Sequence, residues 1–174
     1  KLVVEACLAI REEKNGEYKI KIDNIKVEKK AGGSVSDSQI VNGIVLDKEV
    51  VHSGMPKKIE NAKIALISAP LEIEKTEFEA KINISDPNQI KSFMDEEDKI
   101  LRDMVEKIKS ANANVILCQK GIDDIVQHYL SKANILAVRR IKESDMSKLA
   151  KATGARIVGN VNDLSEKDLG LAQN

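Results

Sequence analysis

Residues 113–159 read ANVILCQKGIDDIVQHYLSKANILAVRRIKESDMSKLAKATGARIVG, and this stretch decides the fold. Val115-Ile-Leu-Cys118 is a short apolar run, as are Ile135-Leu-Ala-Val138 and Arg156-Ile-Val158. Between them lie two amphipathic stretches, Asp123–Lys132 and Asp145–Thr153. The pattern is βαβαβ, which argues for an α/β fold with a parallel sheet and right-handed crossovers. Gly154 stands where a helix ends in a left-handed residue. Asn112 and Asn134 precede strands at matching places, and Asn is the common substitute for Gly there.

Upstream, residues 86–110 predict a helix of about 25 residues, roughly 37 Å long. Ser85 is a suitable N-cap, and Asp86 and Pro87 suit a first turn. Ile100, Leu101, Met104, Val105 and Ile108 form an apolar stripe on its C-terminal half. Its N-terminal half has only Ile90, Phe93 and Met94 before the acidic run Asp95-Glu-Glu-Asp98. Asp95–Lys99, Asp98–Arg102 and Asp103–Lys107 are acid-first i,i+4 pairs that support a helix short of core contacts. Ile90, Phe93 and Met94 are then expected to form an apolar tip.

The N-terminal part is less regular. Residues 2–13 are helix-compatible, Asn15-Gly16 marks a turn, and Tyr18, Ile20 and Ile22 alternate with polar residues as in a half-buried strand. A loop at 29–34 contains Gly-Gly-Ser, which lacks the P-loop context. A strand-rich stretch is expected next. Gly43–Leu46 and Val50–Val51 are short apolar runs in it, Lys63–Ile67 reads as a buried strand, and 78–84 alternate as an extended segment. Ser165–Asp168 resembles the capped start of another helix.

Composition narrows the function. Basic and acidic residues number 28 each, so net charge gives no attraction to nucleic acid or anionic membrane. Aromatic residues make up 2%, which argues against base stacking. No apolar run approaches the roughly 20 residues of a membrane span. Cys7 and Cys118 are too far apart in sequence for a zinc knuckle, sit in apolar runs, and read as buried free thiols in a reducing compartment. There is no signal peptide. The chain starts at Lys1 inside an apolar run, as a piece of something longer.

On the helix at 123–132, Ile122, Ile125, Val126, Tyr129 and Leu130 project to one face and Asp124, Gln127, His128 and Ser131 to the other. The second face reads as a polar exposed surface, and beside a groove it would meet a macromolecule. Asp124 and His128 have i,i+4 spacing for a metal, without a visible third ligand. His52 is a candidate base without a nucleophile motif, and Arg139-Arg140 a candidate anion contact. The residues alone give an α/β body, a long helix and no assembled active site.

Several segments resemble a group II chaperonin, the family of the archaeal thermosome and its eukaryotic cytosolic relative. They are 113–124, Gln127–Leu130, Ile135–Arg140, Ser144-Asp145, Lys148–Ala155, Gly43–Glu49, Gly54–Lys57 and Leu71–Lys75. The resemblance covers about residues 25–170 and is nearest to archaeal members. Ser53 stands where Pro is common, and Asn112 and Asn134 where Gly is common. Only the first loosens a turn.

The resemblance implies an apical domain of the swivelling β/β/α type over 25–170. It implies a helical protrusion at about 76–110 that acts as a built-in lid. It makes 1–24 part of an intermediate domain and 171–174 the start of the return to it. Such a module captures and encloses unfolded polypeptides. Ile90, Phe93, Met94, Asp124, Gln127, His128 and Ser131 are its expected client-binding residues. The family's ATP-binding Gly-Asp-Gly-Thr-Thr loop and its hydrolysis-assisting Asp are not in these residues. The chain is therefore expected to bind no cofactor and to catalyse nothing. The full-length parent is expected to be an ATPase using ATP and Mg, cytoplasmic, and assembled with sibling subunits in a double ring. The isolated piece is expected to be monomeric, with no nucleic-acid or membrane partner. The alternative is a free-standing α/β enzyme with a site around Asp124, His128 and His52, which requires a pocket joining them.

Overall fold

The computed structural model describes residues 1–73 and 87–173, with 87–90 described as backbone only. The expected extended segment at 78–84 and the caps at Ser85 and Asp86 lie outside the described residues. The chain divides into two compact units, Lys1–Asp47 and Lys48–Asn174.

The first unit holds helix α1 (Leu2–Ala9) and a hairpin of β1 (Glu12–Lys14) and β2 (Glu17–Lys19). Asn15 and Gly16 both have positive φ, 56° and 79°. A two-residue turn of this kind matches the twist of the strands it joins. The Arg11 guanidinium lies 4.3 Å from the centre of the Tyr18 ring across the mouth of the hairpin. The expected half-buried strand from Tyr18 to Ile22 is corrected here. β2 stops at Lys19 with every residue exposed, and Ile22–Asn24 is a 3-10 turn. A two-stranded ribbon has no face to bury its alternating residues without a second layer. Gly43–Leu46 and Val50–Val51 are not strands either. The nearest approach to pairing is the Val51 N–H, which donates to the Ala137 carbonyl at 3.0 Å.

The second unit is built on β3 (Ala62–Ile67), β4 (Val115–Cys118), β5 (Leu136–Val138), β6 (Ile157–Val158) and β7 (Gly170–Ala172). The order β5-β4-β3-β6 is parallel throughout, as the βαβαβ pattern requires. β7 runs antiparallel along the first half of β3, pairing Ala62–Ile64, while β6 pairs Leu66 and Ile67 on the second half. Helices α2 (Pro87–Ser110), α3 (Asp124–Lys132) and α4 (Glu143–Thr153) complete the unit. The core gathers Leu101, Val105 and Ile108 of α2, Val126 and Leu130 of α3, and Ile67, Leu71 and Ile116.

Turn chemistry positions the elements. Asn112, Asn134 and Gly154 have φ of 66°, 57° and 74°, as the sequence suggests. The Gly154 N–H closes α4 on the Ala150 carbonyl. The helix expected from Ser165 is instead one 3-10 turn, Glu166–Asp168, followed by β7. Asp168 accepts hydrogen bonds from the Ser165 N–H and hydroxyl, so the cap is complete within that turn. Gly170 then passes so close to Thr153 that a Cβ there would collide with its side chain. The chain is thereby drawn into the sheet edge.

Asn134→Ala should destabilise the chain by about 1–2 kcal/mol, because a Cβ without a local hydrogen-bonding group resists the left-handed region. Asn134→Gly should be close to neutral. Denaturant midpoints of the two variants check this.

Candidate functional site

The expected site residues sit on α2, on α3 and in the loop at 52–55. α3 begins at a short bridge in which the Leu71 N–H donates to Gly121 and the Asp123 N–H donates back to Leu71. Gly121 is required there, since the Glu72 carboxylate occupies the space a Cβ would take. The Asp123 side chain caps the helix by accepting from the Ile125 N–H at 2.8 Å.

Ile122, Val126 and Leu130 of the expected apolar face are buried, whereas Ile125 is exposed. Asp124 and His128 are exposed as expected, and Ser131 is half-buried. Gln127 is corrected. It is 5% exposed, and its amide donates to the Ile122 carbonyl at 2.7 Å and to Asp124 Oδ1 at 2.9 Å. A buried amide needs its hydrogen bonds met locally, so Gln127 braces the first turn of α3 rather than facing outward. The exposed ridge of α3 therefore reads Asp124, Ile125, His128.

The rings of His52 and His128 lie 6.2 Å apart, a proximity the sequence does not show. The Gly54 N–H donates to His52 Nδ1 at 3.0 Å. That acceptor role puts the proton of the neutral ring on Nε2. Gly54 itself packs against Ser131, whose hydroxyl would lie 2.8 Å from a Cβ at that position. The loop is thus seated on α3. Among the described residues no group of three or more His, Cys, Asp or Glu side chains could hold a metal.

On α2 the side chains of residues 91–97 are all exposed, and Phe93 and Met94 expose 51% and 64% of their surface. Cover begins at Asp98. There the Tyr129 hydroxyl donates to Asp98 Oδ1 at 2.7 Å and accepts from Arg102 Nε at 2.9 Å. Arg102 Nε also meets Asp98 Oδ2 at 2.7 Å, closing a three-residue clamp between α2 and α3. The Tyr129 hydroxyl, and then the Asp98 carboxylate, hold the Arg102 guanidinium above its ordinary pKa. Of the three acid-first pairs read from the sequence, this is the one that closes within 4 Å among the described residues. The Asp98–Arg102 spacing was visible in the sequence. Its partner Tyr129 was not, because nothing local announces a contact between two helices.

No helix among the described residues is long and apolar enough to cross a membrane. A shallow cavity of about 100 Å³ is lined by Arg156, Ile157, Val158, Gly159, Asp163 and Asp168, none of them a candidate site residue. The thiol of Cys118 is buried, donates toward the Ala69 carbonyl at 3.3 Å, and is pushed up to about 11 by burial. Cys7 is half-buried, not buried as its apolar run suggested.

All 174 residues match the model of the TCP-1/cpn60 chaperonin family. The chain belongs to the chaperonin family. It is 59% identical to a thermosome subunit of Pyrococcus horikoshii over 173 residues, covering 99% of this chain and 32% of that protein. It is 57% identical to a thermosome subunit of Methanopyrus kandleri over 172 residues, again 99% of this chain and 32% of the relative. The open-state monomer of a group II chaperonin from Methanococcoides burtonii superposes with a TM-score of 0.79 at 42% identity. That match covers 99% of this chain and 37% of the other. The chain thus spans about a third of the length of the curated relatives it matches. The mixed α/β architecture is that of a chaperonin, and the resemblance read from 113–159 is borne out.

Two outcomes check this geometry. Tyr129→Phe should open the clamp and speed amide hydrogen exchange over 91–98, leaving β3 and β4 unchanged. Cys118 should resist iodoacetamide at pH 8, since the thiolate is the reactive form. Because folding raises its pKa above the unfolded value near 9.0, the stability it contributes is complete below about pH 9. That contribution is lost as pH rises through about 11. Rapid modification of native Cys118 at pH 8 would contradict the burial.

Proposed function

We propose that the chain is the client-binding and lid module of an ATP-driven group II chaperonin. It would be the apical domain over 25–170, joined to part of an intermediate domain at 1–24, with the return to it starting at 171–174. The protrusion would run over about 76–110. The observation that carries this reading is α2. It is one continuous helix of 24 residues, about 36 Å long. It is anchored by Leu101, Val105 and Ile108 and bare from Ser92 through Glu97. A helix with a buried root and an uncovered Phe93-Met94 end suits transient contact with non-native polypeptide, since Met and Phe adapt to many partners.

In this reading Ile90, Phe93 and Met94 meet clients while a ring is open and pack against sibling protrusions when it closes. Asp124, His128 and Ser131 present polar groups to the bound chain. Gln127 acts at one remove, by holding Asp124. ATP and Mg belong to the parent's remaining segments, so hydrolysis is a property of the double ring in the cytoplasm and not of this piece, which is monomeric alone. The family match gives no support to a free-standing enzyme. Its expected elements come together only in part, as His52 beside His128.

In the full-length parent, Ile90→Ser/Phe93→Ser/Met94→Ser should impair lid closure, read as greater protease sensitivity in the nucleotide-closed state. ATP affinity should stay unchanged. Normal closure in that variant would remove the lid role from these residues.

A further inference from the structure

Positive charge collects at one end of the parallel sheet. β4 runs into Gln119-Lys120-Gly121, and β5 into Arg139-Arg140-Ile141-Lys142. The Arg140 N–H donates to the Lys120 carbonyl at 3.0 Å, and the Ile141 N–H to the Cys118 carbonyl at 3.1 Å. The two turns therefore lie side by side. Lys120, Arg140 and Lys142 are exposed, and Arg139 is half-buried. Arg140 holds a left-handed backbone with φ of 57°, which is uncommon for a residue with a long side chain. Such a conformation persists where its surroundings over-determine it, and it often marks a functional surface.

None of these four cations forms an ion pair among the described residues. The carboxylates nearby are fewer. Glu72 lies over Gly121, and Glu143 and Asp145 stand in the first turn of α4, with Asp145 buried. The chain as a whole has no excess of either sign. Charge is segregated, and the matching negative segment is on the same unit: Asp95, Glu96 and Glu97 of α2 are exposed and make no ion pair among the described residues.

We propose that the paired turns carrying Lys120, Arg139, Arg140 and Lys142 receive the acidic run Asp95–Glu97 of a second copy of this chain. The contact is heterologous, one surface of each copy meeting a different surface of the next. It therefore assembles copies head to tail, closing into a ring where the rotation permits. Its strength lies in several charges acting together, since isolated surface pairs contribute little. Salt weakens it, because the screening length is only about 10 Å at 0.1 M ionic strength. The inference stands on charge placement and does not depend on client capture. Failure of either leaves the other intact.

The test uses three proteins: the unaltered chain, a turn variant (Lys120→Glu/Arg139→Glu/Lys142→Glu) and a helix variant (Asp95→Lys/Glu96→Lys/Glu97→Lys). Arg140 is kept because of its backbone. Sedimentation velocity follows self-association in low salt and in 0.5 M NaCl. The unaltered chain should associate in low salt, with its association constant dropping on the order of tenfold or more in high salt. Each variant alone should sediment as a monomer, and mixing the two should restore association, which also shows that both are folded. A monomeric unaltered chain in low salt would overturn the proposal. So would association that survives either reversal, or a mixture that stays monomeric. Binding of a poly-glutamate probe to the turns without self-association would assign the surface to a different acidic partner and overturn it equally.

Discussion

The second unit depends on β3. Ala65, Leu66 and Ile67 are fully buried, so this strand has no solvent face to compensate for an unpaired backbone. It meets that demand by pairing with β4 along one edge and with β6 and β7 in succession along the other. Everything that positions the candidate site follows from that arrangement. β4 fixes where α3 begins, α3 provides the surface on which the root of α2 is buried, and Gly170 lets the last strand reach its place. Strands buried on both faces read as unbroken apolar runs, which is why Lys63–Ile67 and Val115–Cys118 are the clearest strands in the sequence.

The contrast between the two ends of α2 carries the functional reading. Burial ends where the Tyr129 hydroxyl bridges Asp98 and Arg102. On one side of that clamp the helix is part of the core. On the other its apolar residues have no cover. The same helix supplies rigidity from its root and adaptable contacts from Phe93 and Met94. The exposed ridge of α3 adds polar groups nearby, and Gln127 is spent on holding them in place.

The βαβαβ half was legible because period, length and left-handed Asn and Gly residues all pointed the same way. The long helix was legible from its cap residues and stripe. What escaped has physical causes. Tyr18 to Ile22 alternate like a strand, yet alternation predicts burial only where a second layer exists. Ser165–Asp168 has a helix cap, yet the cap closes on itself and the chain turns into β7. Gln127 looked exposed from its helical angle alone, because a wheel does not show a buried amide satisfied within its own turn. The approach of His52 to His128, and of Tyr129 to Asp98, depends on tertiary packing that no local pattern encodes.

The account's central claim is that non-native polypeptide is held on the uncovered end of α2 and the adjoining ridge of α3. Site-specific photocrosslinking in the full-length open ring tests it directly. A photoreactive side chain is placed in turn at Met94, at His128 and at Lys148 of α4, and a chemically unfolded client is added without nucleotide. The account requires client adducts from positions 94 and 128 and few from position 148. Adducts as abundant from position 148 as from position 94, or none from position 94, would contradict it.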